Sequence, residues 1–82
     1  MKQKEFIQSI NNVIKACGNI TEAYAGAIIR NYDFVDVLTE EAENCITFEL
    51  TCMYNHAADG RAKEVYNCAK RVQEVMRDCH MI

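Results

Sequence analysis

The sequence predicts a small α+β domain in which two helices cover one face of an antiparallel three-stranded meander, in the order α-β-β-β-α. Two observations support this prediction: apolar residues recur at helical spacing at both ends of the chain, and they alternate with polar residues in its middle. The chain has 82 residues, of which 50% are apolar and 26% are charged. This length suits one domain, and we expect residues 1–82 to form it.

The first segment, from Lys2 to Cys17, is predicted to be an amphipathic helix. Its apolar residues recur every three or four positions, as residues on one face of a helix do. Gly18 and Asn19 follow directly and predict the end of the helix, because glycine readily adopts the left-handed conformation found there. The apolar face is formed by Phe6, Ile10, Val13, Ile14 and Cys17.

The last helix is predicted from about Ala57 to Cys79, with polar and charged residues on its outer surface. Asn55 or Asp59 is expected to cap its first turn. Ion pairs on a helix surface add little stability, so we expect the apolar stripe to hold this helix in place. That stripe is formed by Ala58, Val65, Cys68, Val72, Val75, Met76 and Cys79.

The middle of the chain is predicted to form strands. From Cys45 to Tyr54 the side chains alternate strictly, which is typical of a half-buried strand. Phe34–Thr39 predicts a shorter strand, and Glu40–Asn44 predicts a polar hairpin connection. The inward side of the long strand is expected to hold Ile46, Phe48, Leu50, Cys52 and Tyr54, and its outward side Cys45, Thr47, Glu49, Thr51 and Met53.

Residues 20–32 allow two interpretations. We favour a first strand from Ala23 to Ile29 that turns at residues 30–33, because Asn31 and Asp33 are good turn residues. The alternative is a short alanine-rich helix capped by Thr21.

The five cysteines do not predict a metal site, because closely spaced Cys-x-x-Cys or His-x-x-x-His pairs are absent. Cys17, Cys52, Cys68 and Cys79 fall on predicted apolar faces and are expected to be core thiols. Cys45 lies on the outward side of its strand. The first residues contain no apolar run of signal-peptide length, so we expect a reducing cytoplasmic location, with no metal and no cofactor.

No catalytic arrangement is indicated by the sequence. The two histidines, His56 and His80, are not placed beside a nucleophile, and no glycine-rich phosphate loop occurs. Glu40, Glu41 and Glu43 fall in a predicted exposed turn, whereas general acid catalysis needs a sheltered carboxyl. We therefore predict that the protein is not an enzyme.

The distribution of charge is the feature that bears on function. Residues 31–60 hold seven Asp and Glu residues and no Lys or Arg. A solvated hairpin accounts for part of this pattern, but a focused negative field also speeds encounter with a basic partner. We predict a protein partner with a basic surface, without direct binding to nucleic acid or to a membrane. The field is expected to come from Asp33, Asp36, Glu40, Glu41, Glu43 and Glu49, with Tyr32 and Met53 as apolar anchors.

The predicted order of elements is similar to that of double-stranded-RNA-binding domains. Those domains depend on a basic start to the last helix, whereas here the region reads His56-Ala57-Ala58-Asp59-Gly60-Arg61-Ala62-Lys63. In its size, its acidic middle and its lack of catalytic motifs, the chain more closely resembles small phage-encoded inhibitors of bacterial defence systems, some of which imitate nucleic acid. The resemblance implies an inhibitory role and assigns no residues, because it rests on no shared motif.

A second hypothesis belongs to a different class. The outward side of the predicted strand 45–54 carries only one charge, at Glu49, and is less polar than a solvated surface requires. The protein would then be a self-associating structural module that pairs this side with a second copy of itself, forming a homodimer.

Overall fold

The protein consists of four helices in a computed structural model that describes residues 2–30, 32, 39–80 and 82. The described residues contain no strand, so the predicted α+β class is wrong, and the fold is an all-helical, four-helix bundle-like domain. The helices are α1 (Lys2–Lys15), α2 (Glu22–Arg30), α3 (Glu40–Ala58) and α4 (Ala62–Asp78).

The two longest helices, α3 and α4, form the centre of the fold. They run antiparallel: Glu49 in α3 contacts Arg71 in α4, while Ala57 and Val65 line one cavity near the turn that joins the helices. The first helix packs against α4, and α2 packs against α3. All four helices contribute to one cluster of buried residues, which contains Phe6, Ile10, Val13, Ile28, Ile46, Leu50, Met53, Val65, Cys68, Ala69, Val72 and Met76.

The helix predicted from Lys2 to Cys17 is confirmed over Lys2–Lys15, and the chain turns at Gly18 as predicted. Cys17 is exposed, so its prediction as a core thiol is wrong. The backbone N–H of Gly18 donates to the carbonyl of Val13 at 3.0 Å, and Gly18 has a φ of 82°. Gly18 also lies against the start of α4, since a Cβ atom at this position would stand 1.9 Å from the carbonyl oxygen of Ala62. The turn after α1 therefore requires glycine both for its conformation and for its close contact with α4.

For residues 20–32 the favoured strand is wrong, and the alternative, a short capped helix, is confirmed. The Thr21 hydroxyl accepts a hydrogen bond from the Tyr24 backbone N–H at 3.0 Å, which satisfies a donor at the start of α2. The helix buries Ala25, Gly26 and Ile28. Gly26 lies beside the ring of Tyr54 in α3, and a Cβ atom at this position would stand 3.4 Å from Tyr54 Cε1.

The long predicted strand, 45–54, is also wrong, because this segment lies within α3. Thr39 caps the helix by accepting a hydrogen bond from the Ala42 backbone N–H at 3.1 Å. The predicted hairpin connection, Glu40–Asn44, forms the first turns of the helix, where carboxylates are stabilised by the positive end of the helix dipole. The buried side of α3 holds Ala42, Ile46, Leu50 and Met53. The shorter strand predicted at Phe34–Thr39 lies outside the described residues except for Thr39.

The last helix is confirmed but begins later than predicted. Ala57 and Ala58 end α3, and the chain turns at residues 59–61, where Gly60 has a φ of 72°. Neither Asn55 nor Asp59 caps α4; Arg61 occupies the cap position and makes no side-chain hydrogen bond there.

Candidate protein-binding face

The exposed side of α3 carries the most unusual surface in the described part of the chain. Phe48 lies near the middle of this helix with 65% of its surface exposed. Exposed neighbours at helical spacing surround it, on the side opposite to the buried residues of α3. None of these residues is charged. We call this surface the Phe48 face, and it consists of Asn44, Cys45, Phe48, Thr51 and Asn55.

The Phe48 face surrounds its aromatic ring with uncharged side chains. The hydroxyl of Thr51 donates to the carbonyl oxygen of Thr47 at 3.0 Å, so its donor is used within the helix. Leaving a phenylalanine side chain exposed forgoes about 1.5–3 kcal/mol of hydrophobic stabilisation. An aromatic residue surrounded by small uncharged residues matches the composition of the centre of a protein interface.

An acidic group stands at one end of this face. Glu40 and Glu41 are exposed in the first turn of α3, and Glu41 lies two helical turns before Phe48, on the same side of the helix. Glu43 is partly buried, and its charge helps to raise the pKa of Tyr32. Of the carboxylates predicted to supply the negative field, Glu40 and Glu41 are exposed. Asp33 and Asp36 lie outside the described residues.

Glu49 occupies a different environment from the one predicted for it. Its Oε2 atom lies 2.9 Å from Nε of Arg71, and its side chain is only 13% exposed. This carboxylate is neutralised by an ion pair that joins α3 to α4. It is a structural residue of the helix pair, and it contributes little to a field that a partner would meet.

The two residues predicted to be apolar anchors, Met53 and Tyr32, both pack against other residues of the domain. Met53 is fully buried in the core, so its placement on an outward surface is wrong. Tyr32 is partly buried and packs on Phe6 with ring centroids 5.1 Å apart. Burial, followed by the charge of Glu43, raises the pKa of Tyr32 to about 12.

Phe48, which the sequence interpretation placed in the core, is the exposed aromatic residue of α3. A strand places residues 46, 48 and 50 on one side, whereas a helix places residue 48 opposite to the midpoint of 46 and 50. The available signal was the helical spacing of four apolar residues, Ala42, Ile46, Leu50 and Met53. A helical reading of residues 42–53 would have placed Phe48 on the surface.

Within residues 2–30, 39–80 and the flanking described positions, no group of three or more His, Cys, Asp or Glu side chains is arranged to hold a metal ion. None of the helices in the described part of the chain has both the length and the apolar character needed to cross a bilayer.

The fold and this surface define a small helical domain with one uncharged, aromatic helix face beside an acidic helix start. Comparison of the chain with protein-family models, with curated proteins and with solved structures found no match.

Proposed function

We propose that this protein is a small, non-enzymatic protein-binding module that docks the Phe48 face and the acidic start of α3 onto a partner with a basic surface. The single observation that carries the proposal is the 65% exposure of Phe48 at the centre of an uncharged helix face. Such a helix face suits a hydrophobic groove on a partner, because residues spaced by three and four positions enter the groove together.

The carboxylates give the proposal its second part. All charged residues of α3 are glutamates, and Glu40 and Glu41 are exposed at the end of the face. Charges at the rim of an interface mainly accelerate association and select the partner, whereas a central aromatic residue contributes most of the affinity. A basic protein surface, including one that ordinarily binds phosphate groups, fits this arrangement. An inhibitory role, in which carboxylates take the place of phosphates, is the form of this function that the acidic sequence favours.

The test compares capture of partners by the immobilised protein and by matched variants, using lysate from the source cells. Phe48→Ala removes the aromatic anchor, and Ile29→Ala is its control because Ile29 is also exposed, at 37%, but lies on α2. A basic protein retained by the wild type and by Ile29→Ala, but lost with Phe48→Ala, supports the proposal. The captured protein is then purified and its affinity is measured, and we expect Phe48→Ala to weaken binding about 30-fold or more.

The acidic part is tested with the same purified partner. The Glu40→Gln/Glu41→Gln variant is expected to slow association and to reduce the salt dependence of binding, while Glu64→Gln/Glu74→Gln on α4 serves as the control. An association rate that is identical for both double variants, and unchanged between low and high salt, would contradict the proposed electrostatic role of Glu40 and Glu41. A partner that Phe48→Ala binds as tightly as the wild type would remove the proposal.

Self-association is the second candidate function, and one observation favours it. If two copies of α3 paired antiparallel about Phe48, Glu41 of one copy would lie opposite Asn55 of the other, so no like charges would meet. Sedimentation at micromolar concentration separates the two candidates. A dimer that dissociates on Thr51→Arg supports self-association, and a monomeric wild type rejects it.

A further inference from the structure

The seam between α3 and α4 carries one cysteine from each helix, Cys52 and Cys68, close to the ion pair that joins them. The ion pair between Glu49 and Arg71 fixes the register of these antiparallel helices. Cys52 follows Glu49 by three residues in α3, and Cys68 precedes Arg71 by three residues in α4. Because residues three positions apart are neighbours on the same side of a helix, both thiols lie one turn away from the ion pair and on its side of the seam.

The surroundings of Cys68 agree with this register. Cys68 is fully buried, and Nη2 of Arg71 lies 3.5 Å from its sulfur atom. Cys52 is partly buried and packs against the core cluster that contains Cys68. Burial is the main cause that raises the pKa of Cys68 to about 11, and the groups whose charges act on it are Glu49 and Cys52 of α3 and Arg71 of α4.

We propose that Cys52 and Cys68 form a thiol–disulfide site that a low-molecular-weight disulfide, such as oxidised glutathione, converts into a disulfide between α3 and α4. All five cysteines are free thiols in the structure, so this is the reduced form of the site. The proposal is independent of the binding function of the Phe48 face.

The reaction has two exchange steps. The Cys52 thiolate attacks one sulfur of the oxidised glutathione, which forms a mixed disulfide and releases one glutathione thiolate. The Cys68 thiolate then attacks the sulfur of Cys52, which closes the Cys52–Cys68 bond and releases the second glutathione. The two protein thiols lose two electrons and two protons. Oxidised glutathione takes up these electrons and protons and becomes two molecules of reduced glutathione.

The assignment of roles follows from burial. Cys52 is the more accessible thiol and makes the first attack, whereas the fully buried Cys68 resolves the mixed disulfide. The guanidinium of Arg71 lies beside the sulfur of Cys68, where it stabilises the thiolate that the second step requires. The resulting bond closes a loop that contains the turn at residues 59–61, so it ties the two longest helices together.

A second pair of thiols provides an internal comparison. Cys45 and Cys79 line one cavity of about 250 Å³ between the same two helices. In the register set by Glu49 and Arg71, however, Cys45 lies opposite Val75, and Cys79 is one further turn along α4. This offset separates the two sulfur atoms along the helix axis, so we expect no direct bond between Cys45 and Cys79.

The test incubates the folded, reduced protein with mixtures of oxidised and reduced glutathione, blocks the remaining thiols by alkylation, and maps the disulfides without reduction. Cleavage after Glu49 as well as at Lys and Arg places Cys45 and Cys52 on separate peptides. We expect the Cys52–Cys68 link to predominate, and to persist in a Cys45→Ser/Cys79→Ser variant. The oxidised protein is expected to melt at a temperature higher by about 5 °C or more.

Variants at each thiol keep the test independent of folding defects. Cys52→Ser is expected to abolish the link, and circular dichroism establishes that this variant is folded; Cys68→Ala serves as a second variant. The proposal is overturned if the folded wild type accumulates only mixed disulfides with glutathione. It is also overturned if Cys45–Cys79 is the predominant link.

Discussion

Arg71 of α4 donates from Nε to Oε2 of Glu49 of α3 at 2.9 Å, and this contact changes the meaning of the acidic region. In the sequence Glu49 is one of seven acidic residues in residues 31–60, a stretch without Lys or Arg. In the fold its charge is balanced by a residue 22 positions later in the chain. In the described part of α3, the exposed carboxylates that a partner can meet are Glu40 and Glu41 at the start of the helix.

We expect removal of Arg71 to cost more stability than removal of Glu49. Arg71→Ala would leave the 13%-exposed carboxylate of Glu49 without its partner, at a cost of about 1–3 kcal/mol in the free energy of unfolding. Glu49→Gln leaves the 51%-exposed guanidinium near solvent and should cost about 1 kcal/mol or less. Urea unfolding of both variants and of the double variant measures the coupling. If the loss of unfolding free energy in the double variant equals the sum of the two single losses, the ion pair does not link the helices.

The two glycines with positive φ are expected to respond differently to substitution. Gly18→Ala places a Cβ atom 1.9 Å from the Ala62 carbonyl oxygen, so the turn must separate from α4, and we expect a loss of about 3 kcal/mol or more. Gly60→Ala meets no atom within 4 Å and carries only the conformational penalty, about 1 kcal/mol. Thermal unfolding compares them directly. Equal losses would argue against the close contact between this turn and the start of α4.

Truncation of Phe48 and of Met53 tests which side of α3 is buried. Phe48→Ala should leave the free energy of unfolding within about 0.5 kcal/mol of the wild type, since the side chain is 65% exposed and alanine favours helix. Met53→Ala removes a fully buried side chain and should cost about 2–5 kcal/mol. A strand in this segment would reverse the order of the two effects. Denaturant titration followed by circular dichroism distinguishes the two arrangements.

Stability is expected to fall at alkaline pH because two acids, the buried Cys68 and the partly buried Tyr32, keep their protons in the folded state. The pKa of Cys68 rises from 9.0 to about 11, so stability is fully present below pH 9 and decreases as the pH rises from 9 to 11, by about 1–2 kcal/mol. Tyr32, with a pKa raised from 10.0 to about 12, extends the decline.

Unfolding free energies measured from pH 7 to pH 11 check this expectation. The Cys68→Ala variant should show a shallower decline between pH 9 and 11, while Cys17→Ala, at an exposed position, should keep the slope of the wild type. A slope that is the same with and without Cys68 would contradict the assignment.

Hydrophobic periodicity in the sequence determined α1 and α4, because their apolar residues fit only the helical repeat. Residues 45–54 fit two repeats at once: Ile46, Leu50 and Tyr54 are four positions apart, which suits a strand of period two and a helix of about 3.6 residues per turn. Choosing between them depended on whether Phe48 or Met53 is buried. That is decided by contacts with α2 and α4, which are distant in the sequence.

The acidic middle of the chain, and an amphipathic helix at each end, follow from the order of the amino acids alone. Which carboxylates face solvent depends on how the helices pack against one another. The reason is physical: the charge of Glu49 is screened only because α4 returns antiparallel and brings Arg71 to 2.9 Å. The same return leaves Phe48 on the uncovered side of α3.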